Sequence, residues 1–232
     1  MPPTLQQNEM EVVFDGETAD LKYSFEKRRS RVLYISAKRT MDFIGAILGL
    51  VLLSPLFLII AIMIKLEDPR GSVFYCQIRI GKNEKPFKMY KFRSMVSNAE
   101  ELLEKLLVQN EVKGAMFKMK EDPRITKVGK FIRKTSIDEL PQLWNVIRGE
   151  MSLVGPRPPL PREVELYSNY DKLRLKVSPG CTGLWQVSGR SNLSFDEMIE
   201  LDLEYIESRG LWLDVKLILR TIKIMIFPNS AY

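Results

Sequence analysis

The sequence predicts an α+β fold, a mainly helical membrane-associated domain with short strands. First, Phe43 to Ile64 is an uncharged apolar run of 22 residues, long enough to cross a bilayer as a helix. Second, two short segments rich in strand-forming residues follow it, separated by a turn. Third, apolar residues recur at helical spacing in much of the remaining chain. The 232 residues, 45% of them hydrophobic, allow one domain with a substantial core.

The composition favours anionic partners. Lysine and arginine number 35 against 29 acidic residues, a formal net charge of +6, which suits acidic lipid, phosphorylated substrates or nucleic acid. Because the chain has no histidine, carboxylates must serve wherever a general base or a metal ligand is needed. Cys76 and Cys181 lie far apart and match no zinc or redox spacing.

Residues 1–30 are predicted to form a flexible basic N-terminal segment. They are polar, with two early prolines and the basic run EKRRSR. They contain no apolar core of the kind that a signal peptide has. Terminal segments of this composition are commonly weakly ordered.

Residues 31–66 are predicted to form a membrane-inserted re-entrant helix. Lysines and arginines flank the apolar run on both sides, and the positive-inside rule keeps such flanks in the cytoplasm. Near the middle lies Ser54-Pro55, where proline removes a backbone hydrogen bond and serine can satisfy the freed carbonyl. These features favour a hairpin that enters and leaves on the cytoplasmic side. A single span, which would carry one basic flank across the membrane, is the alternative.

Residues 67–232 are predicted to form the cytoplasmic domain. VFYCQIRI and FKMYKFRSM have the composition of short strands, with GKNEKP as the turn between them. Residues 97–112 have the pattern of an amphipathic helix. The C-terminal segment from Leu211 to Phe227 separates a basic stripe from apolar residues, which is typical of an interfacial helix in lipid. An ordinary surface helix packed on the domain is equally compatible with this pattern.

The stretch KTSIDELPQLWNVIRGEMSLVGPRPP, residues 134–159, contains the adjacent acids Asp138 and Glu139. Ser136 with Glu139 three residues later matches a capping box, and acidic residues in a first turn complement the helix dipole. Apolar residues at helical spacing extend the predicted helix from Thr135 to Arg148. Taken alone, this stretch is a capped helix start, and a catalytic role for the acidic pair needs support from elsewhere in the chain.

Three arginines, Arg133, Arg157 and Arg190, lie in or beside irregular stretches rich in glycine and proline. Guanidinium groups bind phosphate oxygens in pairs, and rigid loops hold such groups in place. They are therefore candidates for phosphate contacts, with surface charge or carboxylate pairing as the alternative. No glycine-rich loop in the sequence matches a P-loop or dinucleotide fingerprint.

Several motifs occur in a fixed order along the chain. KRTMD precedes the apolar run, SP lies inside it, and QIRIG and KPFKMYKFRSM follow; DPRITKVGKFIRKTSIDELPQLWNVIRGEMSLVGPRP and PGCTGLWQVSGRS complete the set. From about Lys38 to Phe227 the chain closely resembles the bacterial sugar transferases, monotopic phosphoglycosyl transferases that act on polyprenyl phosphate. One departure is Glu84, where we expect glycine, and it concerns the shape of a turn. The long members carry an extra multi-span N-terminal domain, which we expect this chain to lack.

The resemblance implies transfer of a sugar-1-phosphate from a UDP-sugar to undecaprenyl phosphate, with release of UMP, at the start of exopolysaccharide, capsule or related glycoconjugate synthesis. It implies that Asp138 is the nucleophile, forms a covalent aspartyl phosphosugar and binds Mg2+. Glu139 would orient the nucleophile or assist the second step. Phosphate and nucleotide contacts would come from Arg133, Arg157 and Arg190.

The resemblance further implies a place at the cytoplasmic face of the bacterial cell membrane, with membrane lipid as a partner beside the two substrates. The insert before the acidic pair is similar to that of members using a plain hexose, glucose or galactose. The sequence leaves a homo-oligomer open. A non-catalytic membrane-anchored module bound to acidic lipid is the alternative function, but it leaves SIDELPQ and GPRP without a purpose. Nucleic acid is not expected as a partner, because the sequence has no helix-turn-helix or RNP-type motif.

Overall fold

The computed structural model describes residues 5–99, 101–102, 122–189 and 193–226, with side chains from residue 32 onward. The chain forms two compact units, residues 1–41 and 42–232. The first is helical from Leu5, and near its end the Thr40 hydroxyl donates to the Ser36 carbonyl at 3.2 Å. The segment 1–30 is thus helical from Leu5 onward, and its predicted mobility stays a prediction. The helix predicted over residues 97–112 lies mostly outside the described residues.

Helix α1, Leu5–Glu67, contains the apolar run and continues through Pro55 without interruption. Ser54 Oγ donates to the carbonyl of Val51 at 2.8 Å, the oxygen that the missing Pro55 N–H would have bonded. The expected role of the serine is therefore confirmed, whereas no loop separates two helical arms at this point. Within the described chain, the part from Val32 to Glu67 is long and apolar enough to cross a membrane, and only 11% of its most apolar window is buried.

The apolar run belongs to the second unit, and both of its ends are attached to the rest of that unit. At one end, the Asp42 carboxylate accepts a hydrogen bond from the Leu153 N–H at 3.0 Å. At the other, the Glu67 carboxylate accepts from the backbone N–H groups of Lys127 and Val128, at 2.7 and 3.0 Å. These last two groups open a helix, where a carboxylate is favourable.

The two predicted strands form a hairpin. Strand β1, Phe74–Ile80, pairs antiparallel with β2, Pro86–Phe92, and the register sets Phe74 opposite Phe92 and Ile80 opposite Pro86. In the connecting turn, Asn83 and Glu84 have φ values of 55° and 61°. This left-handed backbone is the one that favours glycine, so the turn keeps the shape expected of a glycine turn although Glu84 occupies it.

The other elements are shorter than α1. Ser152 lies beside Gly180 in a parallel pair of two three-residue strands, and 3-10 helices cover Ile137–Glu139 and Asp171–Lys176. The strands are β3 (Ser152–Val154) and β4 (Gly180–Thr182); the helices are α2 (Lys127–Lys134), α3 (Gln142–Arg148), α4 (Pro161–Val164), α5 (Leu184–Ser188), α6 (Phe195–Ser208) and α7 (Leu211–Ile226).

In the part of the chain that the structure describes, the core comprises three apolar clusters, and α1 contributes to two of them. Ala46 packs in the first and Ile60 in the second, while Gly45 and Gly49 let the helix approach leucine side chains of the domain closely. The buried members of the clusters are Ala46, Phe87, Met89, Val146 and Met151; Ile60, Ile64, Phe92 and Ile132; and Val154, Tyr205 and Leu217.

The C-terminal helix α7 combines the two arrangements that the sequence leaves open: it packs on the domain, and it keeps an exposed apolar surface. Leu217 is buried, and Thr221 shares a 2.7 Å hydrogen bond with Thr182 of β4, so one side of the helix packs on the domain. On another side, apolar residues at helical spacings of seven, three and four positions remain exposed; these are Trp212, Leu219, Ile222 and Ile226. Trp212 is 81% exposed, an unusual place for a tryptophan in contact with water alone.

Candidate active site

The acidic pair lies in the 3-10 helix Ile137–Glu139 between α2 and α3. Ser136 has φ 56° and ψ 17°, makes no side-chain cap bond, and its N–H donates to the Arg133 carbonyl at 3.1 Å. It thus ends α2 as the left-handed residue after the helix, a position that often closes a helix C-terminus. The predicted capping box is therefore wrong, and so is a continuous helix from Thr135, because α3 begins only at Gln142.

Instead of capping a helix, Glu139 binds two cations. Its carboxylate lies 2.6 Å from Lys91 Nζ, which comes from β2, and 3.8 Å from Arg157 Nη1. Burial by itself would raise the pKa of Glu139, but the charges of Lys91 and Arg157 overcome this effect and lower the pKa to about 2. Glu139 is therefore ionised at any physiological pH.

Asp138 is in the opposite electrostatic situation. Its side chain is only 8% exposed. Burial raises its pKa to about 6, aided by the negative charge of Glu139, while Lys91 and Arg133 act against the rise. Two adjacent carboxyl groups with pKa values pushed apart are typical of a site that assigns them different chemical roles.

The structure brings most of the predicted site residues together. Arg157 contacts Glu139 and lies in the loop after β3, and its side chain is 39% exposed. Arg133 occupies the last turn of α2, where its Nε donates to Ser94 Oγ at 2.9 Å, and its charge acts on the pKa of Asp138. Arg190 lies outside the described residues.

Two basic residues of the site were missed in the sequence. The sequence pattern places Lys91 only in a strand, and Arg79 in another strand and in the basic flank of the apolar run. Arg79 is 7% exposed, and its Nη1 donates to the Pro158 carbonyl at 3.0 Å. Burial and the like charge of Arg157 lower the pKa of Arg79 to about 10. The available signal for Arg79 was that it is the one charged residue of β1, since charged residues are rarely buried without a partner.

A small cleft brings Arg79 and Arg157 together with the Glu139 carboxylate. β2 and α3 contribute Met89 and Gln142 to its lining. The rest of its lining is Pro158, Gly180, Cys181 and Gln186. A cleft with two guanidinium groups, beside the turn that carries the acidic pair, suits a substrate with phosphate groups.

The arrangement agrees with the comparison to known proteins. Residues 33–228 match the family model described as bacterial sugar transferase. The chain belongs to the bacterial sugar transferase family. The match includes residues 33–67 of α1, the acidic pair and the loop of residues 155–160. We call this loop the Arg157 loop.

Named relatives of this sugar transferase come from several bacteria. It is 48% identical over 201 residues to a "Galactosyl transferase CpsE" of Streptococcus agalactiae, covering 85% of this chain and 44% of the relative. It is 42% identical to an "Undecaprenyl-phosphate galactose phosphotransferase" of Salmonella typhimurium, covering 98% and 48%. It is 44% identical to an "Exopolysaccharide production protein ExoY" of Rhizobium meliloti, covering 84% and 88%. The chain spans about half the length of the first two relatives.

The acidic pair of this chain is compatible with a magnesium ion whose other ligands come from substrate phosphates and water. Among the described residues, no group of three or more acidic or cysteine side chains forms a metal cage. Mg2+, however, commonly binds one or two protein carboxylates and takes its remaining ligands from substrate phosphates and water. Glu139 is committed to Lys91 and Arg157, which leaves Asp138 as the carboxylate available to a cation.

Proposed function

We propose that this sugar transferase moves a sugar-1-phosphate from a UDP-sugar to undecaprenyl phosphate and releases UMP. The observation that carries the proposal is the buried Asp138 carboxyl group beside a Glu139 that is held ionised by Lys91 and Arg157. The names of the relatives support a UDP-sugar donor, undecaprenyl phosphate as the acceptor and a plain hexose, galactose or glucose. The product would start synthesis of an exopolysaccharide, a capsule or a related glycoconjugate.

The reaction proceeds in two displacements at one phosphorus atom. A carboxylate oxygen of Asp138 attacks the phosphorus that carries the sugar, a new O–P bond forms, and the bond to the UMP oxygen breaks. An oxygen of undecaprenyl phosphate then attacks the same phosphorus, and the bond to Asp138 breaks, which restores the carboxylate. Covalent catalysis of this kind divides one difficult transfer into two easier ones.

The basic residues stabilise the charge on the transferring phosphoryl group. Ion pairs with Glu139 hold Lys91 and Arg157 in place. Arg157 and Arg79 line the cleft that the diphosphate would enter. Arg133 and Arg190 are proposed as further phosphate or nucleotide contacts. When bound by Asp138 and the diphosphate, Mg2+ would supply additional neutralisation of phosphate charge.

Glu139 acts by orientation rather than by proton transfer. A general base works best when its pKa lies near the working pH, and the pKa of Glu139 is lowered to about 2. Its carboxylate instead fixes Lys91 and Arg157, and the charge of Lys91 also acts on Asp138. Of the two roles that the family resemblance implies for Glu139, we therefore propose orientation.

The apolar run is proposed to enter and leave the membrane on its cytoplasmic face. Asp42 and Glu67, at its two ends, both accept hydrogen bonds from backbone N–H groups of the domain that carries the acidic pair. Apolar side chains between these ends remain exposed, among them Val51 at 64% and Leu52 at 76%. A straight crossing would separate the two attachments by the thickness of the bilayer. The exposed stripe of α7, from Trp212 to Ile226, is proposed to lie in the same interface.

Cysteine labelling tests this topology. In spheroplasts, a membrane-impermeant maleimide should label neither Asp20→Cys in a variant without other cysteines nor a variant that keeps only Cys76, which is exposed in β1. Both should react after permeabilisation, because both lie in the cytoplasm. Labelling of Asp20→Cys in intact spheroplasts, with Cys76 still protected, would establish a single span instead.

The activity is tested with the purified chain in detergent, given undecaprenyl phosphate and a panel of UDP-galactose, UDP-glucose and UDP-N-acetylgalactosamine. We expect UMP release with at least one hexose donor. Without the lipid acceptor, the intact protein should gain the mass of one phosphosugar, and UMP should appear in an amount equal to the enzyme. A folded protein that releases no UMP from any donor would favour the non-catalytic lipid-binding module.

A further inference from the structure

The Arg157 loop is held by its backbone carbonyl groups. Pro156, Pro158 and Pro159 have no N–H to donate, so the carbonyls are the main means of fixing this segment. Each of the four carbonyls from Pro156 to Pro159 accepts a hydrogen bond from elsewhere in the fold. The donors, in order, are Gly180 N at 2.8 Å, Arg174 Nη2 at 3.1 Å, Arg79 Nη1 at 3.0 Å and Ile80 N at 2.9 Å.

Arg174 differs from the other three donors. It binds the carbonyl of Arg157 itself, but it is not among the residues that line the cleft. Its side chain is 6% exposed and forms an ion pair at 2.5 Å with Asp202 of α6, which is fully buried. A third contact, from Arg174 Nη1 to the Tyr167 hydroxyl at 2.9 Å, fixes the plane of the guanidinium group.

Stability alone does not account for this pair. Burying two charges has a desolvation cost that often equals or exceeds their attraction, and an apolar pair of similar volume is commonly as stable. Burial raises the pKa of Asp202 to about 6 even against the charge of Arg174, which reflects that cost. What an apolar pair could not provide is a directed hydrogen bond to the Arg157 carbonyl.

The geometry points to Arg174, oriented by Asp202, as a positioning residue for Arg157. The inference rests on the proposed function, in which the Arg157 guanidinium contacts the transferring phosphate. Arg174 does not touch the substrate; it fixes the main chain of Arg157, and Asp202 fixes Arg174. A displacement of about 1 Å at a group that contacts the reacting atoms is enough to slow a reaction about a hundredfold.

A double-mutant cycle measures this dependence. Arg174→Lys keeps the charge but loses the planar fork, so we expect the rate of phosphosugar attachment at saturating UDP-sugar to fall about tenfold or more. In an Arg157→Ala background the same change should alter the rate by less than about twofold, because the side chain that Arg174 positions is absent. Asp202→Asn should follow the same pattern, and it serves as the second variant if Arg174→Lys does not fold.

Arg124→Lys is the matched control, since Arg124 forms another buried pair, with Asp122 at 2.6 Å. Its effect on the rate should be the same in both backgrounds. If Arg174→Lys, or Asp202→Asn in its place, has equal effects with and without Arg157, or leaves the rate unchanged, the positioning role is wrong while the proposed function stands. If Arg157→Ala itself leaves the rate unchanged, the phosphate contact in the proposed function fails.

Discussion

Asp138→Asn is expected to abolish sugar-phosphate transfer and, at the same time, to stabilise the folded protein. The neutral amide cannot form an acyl phosphate and is a poor ligand for Mg2+. The measurements are UMP release and the mass of the protein after incubation with UDP-sugar. The wild type should gain one phosphosugar, whereas Asp138→Asn should gain none and should lose at least about 1,000-fold in rate.

The stabilisation follows from the pKa of Asp138. Its folded value, about 6, lies above the usual 3.8, so the folded state binds the proton more tightly than the unfolded state does. Protonated Asp138 therefore favours folding at low pH, and this contribution is lost as the pH rises from about 4 through about 6. A pKa difference of this size corresponds to at most about 3 kcal/mol. Asparagine, which carries no charge, avoids the loss.

Thermal unfolding in EDTA checks this expectation. At pH 8, Asp138→Asn should unfold at a higher temperature than the wild type, and the difference should shrink towards pH 4. Glu139→Gln is the matched control: because the pKa of Glu139 is lowered to about 2, this change should destabilise the protein at both pH values. It should also slow turnover while the first displacement is retained. An active Asp138→Asn protein with an intact fold would remove Asp138 as the nucleophile.

Asn145→Ala is expected to lower the free energy of unfolding by about 3 kcal/mol. Asn145 is fully buried in α3. Its side-chain amide forms hydrogen bonds with the backbone of β2 on the edge that does not pair with β1. Its Oδ1 accepts from Tyr90 N at 3.0 Å, and its Nδ2 donates to Lys88 O and to the Glu150 carboxylate, both at 2.7 Å. Alanine would leave the Tyr90 N–H and the Lys88 carbonyl without this partner, whereas Glu150 keeps Arg148. A buried polar group left without a partner costs about 1–3 kcal/mol.

The expected change in Tm is a fall of roughly 6–12 °C for a protein of this size. Arg148→Ala on the same helix is the control, because its pair with Glu150 is at the surface and the arginine is half exposed. Surface pairs contribute at most about 1 kcal/mol, so this variant should unfold near the wild-type temperature. Equal Tm values for Asn145→Ala and Arg148→Ala would show that β2 does not depend on the asparagine.

The acidic pair illustrates how far local pattern alone can mislead. Ser136 and Glu139 have the spacing of a capping box, and local spacing is all that this prediction uses. In the fold, Ser136 closes α2 with a left-handed backbone, and Glu139 turns to Lys91, 48 residues earlier in the chain. A full opposite charge attracts a carboxylate more strongly than a backbone N–H does. Glu139 therefore pairs with the distant Lys91 and does not cap the nearby helix.

By itself, the sequence determined the features that depend on neighbouring residues or on composition. These include the apolar run of α1 with serine satisfying the carbonyl freed by Pro55, the β1–β2 hairpin, and the family with its acidic pair. Only the tertiary structure decided which charges meet. The links of Glu139 to Lys91 and of Arg174 to the Arg157 carbonyl join residues from different elements. No periodicity encodes such links, because they arise when packing buries charged groups that must then find partners.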